Sequence, residues 1–375
     1  MQKTRSNKNP SRLNRRQLLK IPALAAVPFV AHASKSVDPR AVASMLIMGF
    51  IGTTSDAASA RALAADINQL GVGGVCFLGH NTKSKHGIEQ LTRLFQDASG
   101  DTPSLIAVDQ EGGAVQRLGK RNGYPAFPRA RNVARQHSPE HAREIYRQLA
   151  ETIKTAGFNL NLSPVLDLGI EPENPVVYKW GRTFGVDGDT VAKYAGAFID
   201  AHRELDILTA VKHFPGHGST RVDSHARPVD ITDTWQADEL TPFKRLIDEQ
   251  KIDIVMSGHL SHDKLTGGMP ATLSANAVKL LRENLAYEGV LMTDDLDMKA
   301  IRSSYSLIDA VLRSIEAGYD LILLSNSLTP DRNLAARIVG AVSDAVKNGR
   351  LSADSIHESA ERVQRLRVSI SRSAV

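Results

Sequence analysis

The chain has 375 residues, of which 42% are hydrophobic, 23% charged and 5% aromatic, the balance of a folded globular protein and not of a disordered, collagenous or coiled-coil one. Its net charge of +5 comes from the first 33 residues, where Lys3, Arg5, Lys8, Arg12, Arg15, Arg16 and Lys20 stand with no acid among them; taking these seven from +5 leaves −2, so nucleic-acid binding loses its compositional support. One cysteine, Cys76, excludes a disulfide framework and a CxxC metal knuckle, and no run of 18 apolar residues marks a spanning helix.

Taken in chain order, residues 1–33 read as an export signal. A basic stretch ends in Asn14-Arg15-Arg16-Gln17-Leu18-Leu19-Lys20, a short apolar run follows from Ile21 to Val30, and Ala31-His32-Ala33 is a small-x-small cleavage pattern. The paired arginines resemble a bacterial twin-arginine signal, which implies an exported, periplasmic or secreted protein. About 10 apolar residues are too few for the roughly 20 a span needs, so no stable membrane insertion is expected once the signal is removed.

Residues 34–375 are expected to form one domain. Short apolar, β-rich runs recur at Met45–Phe50, Gly74–Leu78, Ser104–Val108, Phe158–Val165, Leu208–His213, Ile252–Ser257, Val290–Thr293 and Leu321–Leu324. Uninterrupted apolar runs of this length are strands buried on both faces. Helical patterns lie between them. One opens at Ser138-Pro139-Glu140, with serine as cap and proline at the first helical position. Another spans 189–205, with Asp189 as the expected cap and Val191, Ala195, Phe198 and Ile199 on one face. Eight strand–helix units predict an α/β fold, the closed (β/α)8 TIM barrel. An open doubly wound sheet is the alternative, but the GxGxxG turn expected after its first strand is missing.

In such a barrel the chemistry sits at the C-terminal ends of the strands. Those ends carry Asp109-Gln110-Glu111-Gly112-Gly113; Lys212-His213-Phe214-Pro215-Gly216-His217-Gly218 with Asp223-Ser224-His225 beyond; Ser257-Gly258-His259; Thr293-Asp294-Asp295; and Ser325-Asn326. Ionisable groups gathered at one end of a buried sheet are costly without a role or a partner.

The run from Lys212 to Gly218, followed by Asp223-Ser224-His225, resembles the signature of the bacterial β-N-acetylhexosaminidases of glycoside hydrolase family 3. Asp109 to Arg117 and Thr293 to Met298 are also similar to that family, in the expected order, and the resemblance covers roughly residues 40–330. It implies a retaining, exo-acting β-N-acetylglucosaminidase with no metal or organic cofactor. Its substrate would be a small glycoside bearing terminal N-acetylglucosamine, with muropeptides and chitin fragments both open. The implied nucleophile is Asp294, the implied general acid/base is His225, and Asp223 is implied to orient the His225 ring. Asp109, Arg117, Arg182, Lys212 and His213 are implied to bind the sugar.

The chemistry suits these residue types. A carboxylate forms a glycosyl ester that water can later cleave. A histidine, with an ordinary pKa near 6.5, can give and take a proton near neutrality, although glycosidases more often use two carboxylates. Asp294 and Asp295 are adjacent, so strand alternation predicts that only one faces the sugar. Pro215, Gly216 and Gly218 predict a mobile loop under the dyad. Val176-Val177-Tyr178-Lys179-Trp180, just before Arg182, is longer than the family pattern and is expected to reshape the pocket rim.

Other readings stay open at this point. A β-glucosidase of the same family would share most motifs. His213, His217, Asp223 and His225 could instead bind a metal in a metal-dependent hydrolase, and a non-catalytic cell-wall binder would keep sugar affinity alone. Asp109 and Lys212 could be a simple ion pair at the barrel mouth. Cys76 reads as a small core residue, and the basic stretch 117–135 as a solvated loop.

Overall fold

Every one of the eight apolar runs coincides with a strand, the fifth strand reaching one residue beyond its run: β1 (Leu46–Met48), β2 (Gly74–Phe77), β3 (Leu105–Val108), β4 (Leu160–Asn161), β5 (Leu208–Phe214), β6 (Ile254–Ser257), β7 (Val290–Thr293) and β8 (Ile322–Leu324). The computed structural model describes residues 36–224 and 227–370. The expected signal over 1–33 lies outside the described residues. The strands pair in parallel in the order β7-β6-β5-β4-β3-β2-β1-β8. The two ends of that row meet where Met292 bridges Leu321, with Thr293 N–H donating to Leu321 O at 3.0 Å and Leu321 N–H to Leu291 O at 2.9 Å. The sheet therefore curls into the (β/α)8 barrel, not the open doubly wound alternative.

Period-two alternation divides each strand between two apolar layers. Ile47, Cys76, Leu105, Ala107, Ala210, Ile254, Met256, Val290, Met292, Leu321 and Leu323 pack together, while their strand neighbours Leu46, Val75, Ile106, Val211, Val255, Leu291 and Ile322 pack with the helices. The first set fills the barrel interior, as bulky side chains do in this fold. Cys76 belongs to it, 1% exposed, its thiol pKa pushed well up by burial. The helix Ala353–Val368 adds Val363 to the same interior cluster, joined by Ile370 just beyond it. Its Arg367 donates to Pro103 O and Thr102 O, just before β3. That helix covers the N-terminal end of the barrel, so the C-terminal end is left for a site.

The two helices read from sequence form with one shift at a cap. Pro139–Thr155 starts as expected, the Ser138 side chain accepting from His141 N. The second runs from Gly188 to Arg203, and its cap is Asp187, not Asp189. Asp187 has extended backbone and accepts from Thr190 N at 2.8 Å. Asp189 instead sits in the first turn, where the helix dipole favours an acid. Among the described residues no helix is long and apolar enough to cross a membrane.

Candidate active site

After β3 the chain folds back on itself as a short antiparallel ribbon, Gln110–Gly112 with Val115–Gln116. Its turn requires glycine: Gly112 and Gly113 have φ of +91° and +64°, and a Cβ on Gly112 would lie 2.4 Å from Pro128 O. The ribbon returns Arg117 to Asp109, with guanidinium and carboxylate 3.4 Å apart. Lys212, from β5, donates to Asp109 at 2.7 Å and lies 3.0 Å from Glu111. Arg182 makes a two-pronged pair with Glu111, both bonds 2.8 Å. Arg117, Asp109, Lys212, Glu111 and Arg182 thus alternate in sign along a chain with one excess positive charge.

Burial alone would push the Asp109 carboxyl up, but Lys212 and then Arg117 hold it well below the usual range. Burial likewise opposes ionisation of Glu111, and Arg182 and Lys212 bring it down to about 2. Burial lowers the Lys212 ammonium, and Asp109 with Glu111 more than offset that. Asp109, Glu111 and Lys212 are therefore charged at neutral pH, and the five groups hold one another in place. Buried ion pairs rarely raise stability over apolar packing, but removing one partner costs about 3–5 kcal/mol. Such a chain is therefore retained as a rigid polar frame, not as a stabiliser. The simple barrel-mouth ion pair is real but too small a description. Glu111, unassigned from sequence, joins Lys212 to Arg182 in it.

A second cluster forms around Asp167, six residues beyond β4 and 1% exposed. Its carboxylate accepts from His213 Nδ1 at 2.6 Å, His213 N at 3.1 Å and His217 N at 2.8 Å. Burial opposes ionisation here too, but His213 outweighs it and the carboxyl falls to about 2. Nδ1 of His213 is committed to Asp167, so Nε2 is the ring nitrogen available to the cavity that His213 lines. His217 is buried and burial lowers its pKa to about 4, so it is neutral. Its Nε2 lies 3.0 Å from Ser224 Oγ.

The segment 214–220 is buried throughout and differs from the mobile loop expected from its glycines. Asn174 Nδ2 donates to His217 O at 2.7 Å and Gly218 O at 3.3 Å. Gly218 N–H donates to Glu239 at 2.9 Å, and Trp235 Nε1–H to Pro215 O at 3.0 Å. The glycines serve close approach: a Cβ on Gly218 would meet Leu168 O at 2.1 Å, and Gly216 takes φ +123° against Glu239. Residues 214–220 are thus a pinned segment.

β7 ends at Thr293, and Asp294 and Asp295 follow it into the mouth. Both residues line the cavity. The strand has ended, so its alternation no longer separates neighbours. The two carboxylates are nonetheless engaged differently. Asp295 accepts from Asp297 N at 3.0 Å and Ser325 N at 2.8 Å, tying β7 to β8. Asp294 accepts from Asp295 N at 2.8 Å. Burial, helped by the neighbouring Asp294 charge, raises the Asp295 carboxyl to about 6.

The cavity is 370 Å³ and floored by Cys76, Met256 and Leu323. Of the residues expected in the site, Asp294, Asp223, Asp109, Arg117, Arg182, Lys212 and His213 all line it. His225 lies outside the described residues. Sequence reading missed Asp167 and the pairing role of Glu111. The basic stretch divides: Lys120, Arg121, Arg129 and Arg135 are exposed, but Arg117 enters the cavity and Arg131 stacks on Tyr178 at 5.0 Å. Among the described residues no three His, Cys, Asp or Glu side chains are grouped to hold a metal ion.

Residues 37–366 match the family described as the glycosyl hydrolase family 3 N terminal domain. The chain belongs to glycoside hydrolase family 3. It is 32% identical over 330 residues to the β-hexosaminidase LpqI of Mycobacterium tuberculosis, covering 86% of this chain and 80% of that one. In structure it is similar to a β-N-acetylhexosaminidase from Beutenbergia cavernae, with a TM-score of 0.77 and 29% identity over 88% of this chain and 98% of the other. It is also similar to a family 3 β-N-acetylglucosaminidase from a Paenibacillus species, with a TM-score of 0.79 and 30% identity, covering 90% of this chain and 64% of that longer one. The chain is a glycoside hydrolase with a (β/α)8 barrel.

Proposed function

We propose that this chain is a retaining exo-β-N-acetylglucosaminidase. The observation that carries the reading is the convergence of Asp294 and Asp223 on one cavity with the charged frame of Asp109, Lys212, Arg117 and Arg182; the names of the relatives above agree with it. A frame of fixed, ionised donors and acceptors suits the hydroxyls of one terminal sugar. Asp294 attacks the anomeric carbon as the bond to the leaving oxygen breaks, and His225 gives that oxygen its proton. His225 then takes a proton from water as the water oxygen bonds to the same carbon, releasing Asp294 as a carboxylate. Asp223 orients the His225 ring.

A panel of aryl β-glycosides tests the reading. Turnover of the N-acetylglucosaminide is expected, with kcat/KM falling strongly when the 2-acetamido group is replaced by hydroxyl. Comparable rates on the β-glucoside would favour the glucosidase alternative, and sugar binding without turnover the non-catalytic one. Loss of activity on adding chelator would point to the metal-dependent hydrolase.

Export through the twin-arginine route is proposed on Arg15 and Arg16. Changing both to lysine is expected to leave the protein in the cytoplasm on cell fractionation; unchanged export contradicts that route.

A further inference from the structure

The segment Val176-Val177-Tyr178-Lys179-Trp180 puts an exposed tryptophan at the rim of the cavity. Among the described residues five large apolar side chains are exposed: Ile51, Trp180, Val186, Leu328 and Val368. Trp180 is the aromatic one, 53% exposed, and of the five it alone lines the cavity. An indole left half in water contributes little to the core it sits on. It is a rigid, amphipathic surface, the type of side chain on which binding sites rely for contact area at low entropic cost.

Its position is set by its own loop. The Asn174 side chain accepts from Val176 N at 2.9 Å and Val177 N at 2.7 Å, and Val176 and Val177 pack against Val165. Lys179 N–H donates to Asn174 O and Arg182 N–H to Val177 O. Arg131 holds the outer side, its N–H donating to Gly181 O and its guanidinium to Tyr178 O. The same Asn174 donates to the carbonyls of His217 and Gly218. The backbone under Trp180 is thus hydrogen-bonded to the base of the segment leading to Asp223 and His225.

The floor of the cavity is closed by Cys76, Met256 and Leu323 and its charged frame is buried, so the terminal sugar enters there and its leaving group points outward. Given the function proposed above, on which this step rests, we propose that Trp180 is the platform of a leaving-group subsite that selects a ring, a second pyranose laying its C–H face on the indole. A polar or aliphatic rim would serve a small alcohol equally well. An exposed indole on a hydrogen-bonded loop favours a flat ring.

The test compares two substrates in wild type, Trp180→Ala and Trp180→Phe. One is the β-1,4-linked disaccharide of N-acetylglucosamine. The other is N-acetylglucosaminyl fluoride, whose leaving group has no ring. The ratio of their kcat/KM values is expected to fall about tenfold in Trp180→Ala, the scale of losing one aromatic contact, and to stay near wild type in Trp180→Phe. A ratio equal to wild type in Trp180→Ala overturns the subsite, since both substrates then lose alike or not at all. A fall of the same size in Trp180→Phe also overturns it, because the ring plane would not be what counts. If wild type releases N-acetylglucosamine from neither substrate, the enzymatic reading itself has failed, a result distinct from either of these.

Discussion

Asp294→Asn is expected to lower kcat by roughly 10⁴-fold or more, the scale seen when a member of a covalent catalytic set is lost. Asparagine keeps the size of the side chain and an oxygen that can still accept from Asp295 N, the 2.8 Å bond that Asp294 makes now. That backbone contact at the end of β7 is therefore kept, and the thermal midpoint is expected to stay near wild type. What is lost is the charged oxygen that would bond to the anomeric carbon, so neither half of the reaction can proceed. Intact-mass measurement with a slow substrate should show a glycosyl adduct on wild type and none on the variant. Asp295 offers the control. It lines the same cavity, but its carboxylate accepts from Asp297 N and Ser325 N, so Asp295→Ala is expected to act mainly on stability. If Asp294→Asn kept activity within tenfold of wild type while Asp295→Asn lost it, the nucleophile would be the second carboxylate.

Much of this architecture is legible in the amino-acid sequence because its signals are local and redundant. Eight apolar runs correspond to eight strands, since a strand buried on both faces leaves no polar position to confuse its pattern. Seven of the eight expected site residues meet in one cavity because strand C-terminal ends converge in a barrel, whatever their separation in sequence. What escapes such reading depends on distances between segments. Asp167 escapes because the residues that end β4 are Leu160 and Asn161, and Ser163-Pro164 separates the acid from the strand, so nothing local marks it as the acceptor for His213. Glu111 is visible inside its motif, but its bond to Arg182, 71 positions away, is not. The glycines of 214–220 suggest flexibility because sequence cannot distinguish a glycine that moves from one that is crowded. At Gly218 the carbonyl of Leu168 decides the matter.

His225→Ala is expected to separate the two halves of the reaction. With a nitrophenolate leaving group little protonation is needed, so the glycosyl ester should still form. Its hydrolysis should then be slow, because water has lost its base, and product should appear as a burst followed by a slow phase. With a sugar or alkyl leaving group the first step should itself fall by about 10²–10⁴-fold, the usual worth of general acid–base help. Azide needs no deprotonation and should restore turnover, giving the β-azide with retained configuration. Asp223, whose side chain lines the same cavity, works only through the imidazole in this scheme, so Asp223→Ala should cost no more than His225→Ala and show the same dependence on leaving group. The pinned base of the segment matters here. Asp167 holds His217 N, and His217 Nε2 lies 3.0 Å from Ser224 Oγ, the residue between Asp223 and His225. Ser224 is thus tied to the buried base of the segment, one residue from each member of the proposed dyad. Equal losses on good and poor leaving groups, with no burst and no azide product, would remove His225 from the acid/base role and leave the proton to another group in the cavity.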